Sequence, residues 1–395
     1  MKLLFVTPHL PYPPRSGSTI IAYHYMRTLG ARHAIDLVSF GESETADYGQ
    51  LREACRNIWL TPHVKFRSSR LARLISKSLG VPTQVSLYLS GRMKQLVRQA
   101  LAQNDYDAVI FLMTEMSQYC PSHYAGALVL FMEDPLVLKF QRSLERYSSH
   151  GMRLRAKFEA ALLKRYEIAQ TRRFDRVLLI NANDVEDYKQ ILPNRQFDWI
   201  PHGIDINLFQ PSNPQTRQDG TVIITGNMFH RPNIEAVEFF CRRILPLVRQ
   251  EVPSARLWLV GANPGPEVQK WARDEQITVT GAVPDMQTYL QRALVSVCAV
   301  SLKIGTQTKI LEAMACGTPV VTTSAGNHGI NATSGTHLYV ADEPEIFARY
   351  VVSLLKRERW SELSQNGRKF VVDNFAWEIG ATKLEKIIEG VLHKR

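Results

Sequence analysis

Short apolar runs bounded by turn residues alternate with helically periodic segments from one end of this 395-residue chain to the other. In the first half the runs are LLFV, IDLVSF, AVIFL, ALVLF and VLLI; in the second they are VIIT, ARLWLV, ITVT, VSVCAV and PVVT. Runs of this length, each followed by a helical stretch, predict parallel strands joined by crossover helices. The chain is too long for one ordinary core, and each half can supply roughly six strands of a doubly wound sheet. The fold class predicted is therefore α/β, with two Rossmann-like domains over 1–204 and 221–375 that face each other across a cleft. The Pro-, Asn- and Gln-rich stretch over 205–220 reads as the linker. Over 376–395, Leu384, Ile387, Ile388 and Val391 fall on one face of a final amphipathic helix.

Ligands of doubly wound sheets sit outside the carboxyl ends of the strands. No G-x-G-x-x-G follows the first strand and no G-x-x-x-x-G-K-[ST] is present, which weakens dinucleotide and triphosphatase readings. Three loops carry the chemistry instead. The first strand ends in TPHLPYPPRSGSTIIAYHYMRTL, where Pro11, Pro13 and Pro14 stiffen the loop and Gly17 and Ser18 open a helix whose amides can meet a phosphate. In IITGNMFHRPNIEAVEFF the same order recurs, with a helix expected from about Asn233 and Arg231 as a phosphate-binding fork. In GTQTKILEAMACGTPVV, Lys309 supplies a mobile cation and Glu312 stands among residues suited to a core. Thr308 lies four positions before Glu312, where a capping box needs three. A carboxylate just inside a helix start suits ribose hydroxyls held beside a phosphate.

KILEAMACGTPVV, IPHGIDINLFQP and FAWEIGATKLEKIIEGVL resemble the retaining glycosyltransferases of family 4, which have the two-domain GT-B architecture. The resemblance covers nearly the whole chain and is weakest over 46–104. It implies a nucleotide-sugar donor, by default a UDP-sugar, held mostly by the C-terminal half, and a glycan or lipid-linked glycan acceptor in the N-terminal half. It also implies catalysis without a metal or cofactor, and a last helix crossing back onto the first domain. Glu312 then matches the ribose-binding carboxylate. The family's second glutamate, eight positions earlier, is Ile304 here, so the backbone of Gly305, Thr306, Gln307 and Thr308 is expected to hold the sugar. The usual arginine after the strand glycine is Asn227, and the usual lysine falls near Pro232, leaving Arg231 and Lys309 to replace them. The catalytic-site histidine falls at Glu133, so Glu133 and Asp134 are expected in its place.

Charge and composition set further bounds. Residues 1–200 carry 27 Lys and Arg against 18 Asp and Glu, and Ala54 to Asn104 contains no acid at all. Such a face suits phosphate, and RLARLISKSLG within it has the pattern of a helix lying on an anionic membrane. No nucleic-acid motif accompanies it. No apolar run reaches a membrane-spanning length and the N-terminus reads as a strand, so a cytoplasmic protein is expected, with peripheral association on the inner face of the membrane as an option. Five cysteines without a C-x-x-C pair, and histidines without an H-x-x-x-H pattern, give no metal site. Asp105 to Asp107 precede their strand and read as a solvated turn. Two competing functions remain: a nucleotide-sugar hydrolase or epimerase on the same scaffold, and a non-catalytic basic binding protein.

Overall fold

The computed structural model describes residues 1–42, 48–63, 80–133, 135–143, 150–193, 195–303 and 305–395. Two compact units result: Met1–Pro201 together with Trp377–Arg395, and His202–Ala376.

In the first unit the strands are β1 (Lys2–Thr7), β2 (Ala34–Phe40), β3 (Asn57–Thr61), β4 (Ala108–Leu112), β5 (Ala127–Glu133), β6 (Arg176–Leu179) and β7 (Phe197–Trp199). They pair in parallel in the order β3-β2-β1-β4-β5-β6-β7. The reason for the continuous apolar runs is that both faces are covered. Leu4, Val6, Val109 and Phe111 pack into one core, while their neighbours Leu3, Phe5, Ala108 and Ile110 pack into another on the opposite side. The edge strands β3 and β7 escape the apolar-run reading because NIWLT and FDW are short, mixed and only partly buried.

The second unit has β8 (Thr221–Thr225), β9 (Arg256–Val260), β10 (Ile277–Gly281), β11 (Val295–Cys298), β12 (Val320–Thr322) and β13 (Tyr339–Val340). These are parallel too, in the order β10-β9-β8-β11-β12-β13. Both sheets therefore reverse their winding beside their first strand, between β1 and β4 in one and between β8 and β11 in the other.

Residues 205–220 do not form a free linker: they lie inside the second unit. Two guanidiniums, Arg217 buried and Arg368 half-buried, fix them there. Arg217 donates to the carbonyls of Leu290, Ala293 and Cys316 and to the Thr318 hydroxyl, and Arg368 donates to the carbonyls of Ile206 and Phe209. The final helix, Trp377–Leu392, belongs to the first unit. Its Trp377 stacks on His24 at 4.6 Å and meets Tyr25 edge-on at 5.4 Å, both on the Gly17–Gly30 helix. Leu384, Ile388 and Val391 are buried beneath it, and Glu385 accepts from His33 Nε2 at 2.6 Å. All five cysteines are free and buried.

Candidate functional site

At the switch point of the second sheet, β8 ends in Gly226. Its φ of +146° lies in a region that L side chains avoid, and a Cβ there would stand 2.8 Å from Asn233 Nδ2 and 3.3 Å from Lys309 Nζ. The bare backbone thus lets two polar side chains close over the strand end. A helix of nine residues, Arg231–Phe239, follows; it begins two residues before Asn233, with Pro232 in its first turn. Asn233 bridges the two loops: its Nδ2 donates to the Asn227 carbonyl at 2.9 Å, and its Oδ1 accepts from Lys309 Nζ at 2.6 Å. Asn227 Oδ1 in turn accepts the Phe229 amide at 3.1 Å, which sets the turn.

After β11 the chain passes through Gly305, with φ of +55°, into the Thr308–Ala315 helix. Gly329 presses against the Gly305 carbonyl so closely that a side chain would not fit, which holds this loop from behind. Gln307 stands at the helix cap, Thr306 Oγ1 reaches the Gly329 carbonyl at 3.4 Å, and Lys309 is the second helical residue. Glu312 is one turn further on and partly buried among Ile310, Leu311, Ala313 and Met314. Burial pushes its carboxyl up, while Lys309 and the Thr308 hydroxyl pull it back. Glu312 thus bonds to Thr308, four positions back, through side chains, not through a capping box.

Arg231 stands apart from this group. It opens its helix rather than preceding it, is 68% exposed, and its Nε reaches Glu235 Oε1 at 3.0 Å, an i,i+4 surface pair. Of the two cations, Lys309 is the one whose ammonium joins the Gly226 loop. Asn233, which the sequence marks only as a helix start, is the residue that links Lys309 to the Gly226 loop. A polar side chain in the first turn after a strand-end glycine is the signal that marks it.

In the first unit, Ser16 and Thr19 form a capping box at the start of the Gly17–Gly30 helix, with Ser18 partly exposed in its first turn. Glu133 ends β5 at a bulge with φ of +60°, and its Oε1 lies 2.8 Å from where a Cβ on Gly17 would stand. Its carboxylate therefore meets the positive end of that helix. Asp134 and Ile304 lie outside the described residues, as do residues 70–79 of RLARLISKSLG. Behind β5, Glu167 is fully buried on the His150–Thr171 helix. It accepts from the Leu136 amide at 2.8 Å, the Val137 amide at 3.4 Å, Thr114 Oγ1 at 3.1 Å and Tyr188 OH at 2.8 Å. Burial pushes its carboxyl up to about 7 in spite of these donors. One carboxylate thus caps the helix that follows Glu133 and ties it to the segment after β4. His202 is buried in the second unit, and burial pushes its imidazole down to about 4. Asp107, in the expected turn, accepts the Lys2 amide at 2.6 Å.

Comparison with known proteins bears on this geometry. Residues 219–357 match the family described as glycosyl transferases group 1. The chain is 24% identical over 224 residues to the GDP-mannose-dependent alpha-(1-6)-phosphatidylinositol monomannoside mannosyltransferase of Mycolicibacterium smegmatis, covering 50% of this chain and 57% of that protein. Its fold is shared with the sucrose-phosphate synthase of Thermosynechococcus elongatus, with a TM-score of 0.74 and 17% identity over 100% of both chains. HepE of Anabaena, solved in complex with UDP, superposes with a TM-score of 0.68 at 14% identity, over 99% of this chain and 100% of that one. The family match thus lies within the second unit, and the fold that runs through both units is the GT-B fold of these solved structures.

Proposed function

We propose that this protein is a glycosyltransferase that moves a sugar from a UDP-sugar to a hydroxyl of a glycan or lipid-linked glycan, with retention at the anomeric carbon and without a metal. The observation that carries the donor side is the Gly226–Asn233–Lys309 cluster at the switch point of the second sheet, with Glu312 one turn away. Lys309 and the amides at the two helix starts would take the diphosphate, and Glu312 the ribose hydroxyls. The backbone over Gly305–Thr308 would hold the sugar. As the bond from the anomeric carbon to the phosphate oxygen breaks, negative charge grows on the diphosphate, which a preplaced ammonium and two helix dipoles stabilise. The acceptor oxygen bonds to the same face of that carbon, and its proton passes to the departing diphosphate. Glu133, with Asp134 beside it, is assigned to the sugar-transfer side of the reaction.

UDP is favoured because HepE binds it in a complex of the same fold, and GDP is the alternative because the mycobacterial relative uses GDP-mannose. Calorimetry with UDP, GDP and ADP in the presence of EDTA tests the reading: one diphosphate is expected to bind tightly without metal. Binding of none of them defeats it. For the acceptor side, Glu133→Ala is expected to lower turnover about 100-fold with donor affinity kept. Normal turnover removes Glu133 from the mechanism.

A further inference from the structure

The turn after Gly226 has backbone bonds and a buried anchor of its own, apart from the Asn233 side chain. Met228 is fully buried and its amide donates to the Ala262 carbonyl at 2.8 Å, while the His230 amide closes the turn on the Asn227 carbonyl at 3.1 Å. Gly261 packs so closely against the Gly226 carbonyl that a Cβ would not fit. Asn233 Nδ2 therefore brings a second donor to a carbonyl that is already bonded. The effect of that donation is to orient the amide. With Nδ2 on the Asn227 carbonyl, Oδ1 must face the other way, where it accepts from Lys309 Nζ at 2.6 Å. Asn233 and Lys309 belong to different helices, Arg231–Phe239 and Thr308–Ala315, and are 76 positions apart.

Lysine carries its charge on a flexible stem, and a second destination lies close by: Glu312, at the i,i+3 position of the same helix. The ammonium is near enough for its charge to act on the Glu312 carboxyl, yet among the described residues its hydrogen bond goes to Asn233. Closing on Glu312 would neutralise both charges, and the helix would lose its phosphate cation and its ribose acceptor together. We propose that Asn233 is a positioning residue that holds the Lys309 ammonium away from Glu312 and against the Gly226 strand end, so that the opposite charges of one helix serve different parts of the nucleotide. A neutral amide oxygen suits this task. It accepts from the ammonium without cancelling its charge and leaves the remaining N–H groups for the oxygens of a diphosphate. Fixing the ammonium before the ligand arrives also lowers the cost of ordering it on binding. The inference rests on the donor site proposed above.

Calorimetry of the full-length protein with UDP and with uridine, in EDTA, tests it. Asn233→Ala is expected to weaken UDP at least about tenfold. It should also weaken uridine, at least about twofold, because the released ammonium turns to Glu312. Adding Lys309→Ala to Asn233→Ala is expected to restore uridine and to cost UDP nothing beyond the loss from Lys309→Ala alone. Asn233→Asp keeps the ammonium in place but pairs it with a charge, so UDP should weaken at least about tenfold while uridine is unchanged. The backbone bonds of the turn should keep the unfolding midpoints of these variants near wild type. UDP affinity that survives Asn233→Ala but not Lys309→Ala overturns the positioning role alone. So does a UDP loss that adds to that of Lys309→Ala, which would make Asn233 a prop of the turn, and so does uridine affinity that Lys309→Ala fails to restore. Should Asn233→Ala not fold, Asn233→Asp decides, and UDP affinity kept in it overturns the role. If Lys309→Ala leaves UDP unchanged, the donor site itself fails and the inference with it.

Discussion

Lys309 and Arg231 show how one residue's environment decides its use. Both were reasonable phosphate cations by sequence, yet Lys309 Nζ is 2.6 Å from Asn233 Oδ1 and beside Gly226, whereas Arg231 is spent on Glu235 at the surface. A surface i,i+4 pair contributes only about 0.2–0.5 kcal/mol, so Arg231→Ala should leave both stability and nucleotide affinity almost unchanged. If the proposed donor site is right, Lys309→Ala should weaken UDP far more than uridine, by about 1.5–3 kcal/mol, because in that site the ammonium meets the diphosphate and not the nucleoside. Calorimetric titration of both ligands checks this; equal losses for the two would show that Lys309 does not reach the phosphates. Glu312→Gln should weaken uridine and UDP alike, by about 1–3 kcal/mol, since the ribose is common to both. Unchanged affinity for either ligand would remove Glu312 from the ribose.

At the scale of elements, the segments after β4 and β5 are held by a single buried carboxylate. Glu167 receives donors from Thr114, from the first turn of the Leu136–Ser143 helix and from Tyr188. Its carboxyl is raised to about 7 from an ordinary value of 4.5. The folded state therefore binds more protons than the unfolded one between these two values. The stability this group contributes is full below about 4.5 and is lost as pH rises through about 7, a change of about 3 kcal/mol. His202 acts in the opposite sense, since its lowered value costs stability as pH falls below 6.5. The difference between wild type and Glu167→Gln isolates the first effect. Chemical denaturation at pH 5 and pH 8 is expected to show the wild type losing stability relative to the variant at the higher pH; parallel curves would mean that Glu167 titrates normally.

For the whole molecule, each unit has its own core, with one sheet covered on both faces in each. Calorimetric unfolding is therefore expected to depart from a single two-state transition. Because the proposed nucleotide contacts all lie in His202–Ala376, UDP at 100 times its dissociation constant should stabilise that unit by about 2.7 kcal/mol. A scan in which UDP shifts the transition of the first unit instead would place the nucleotide on the wrong sheet.

The sequence alone determined the class of fold, because burial on both sheet faces writes itself as continuous apolar runs such as AVIFL and VSVCAV. It also placed Gly305–Glu312 and the Gly226 loop at strand ends, since glycine and polar residues between a strand and a helix are local signals. It missed β3, β7 and β13, whose edge positions leave them short and mixed. What only the tertiary structure decided is pairing across long separations. Asn233 and Lys309 are 76 positions apart, Arg217 reaches Thr318 across 101, and His33 meets Glu385 across 352. No periodicity encodes such contacts. The helix over His150–Thr171 makes the same point from the surface: Leu154 and Phe158 look like core residues in a sequence, and only packing shows that Ala156 and Leu163 took the interior while these two were left outside. Hydrophobic character is a property of a residue, whereas burial is a property of where the chain brings it.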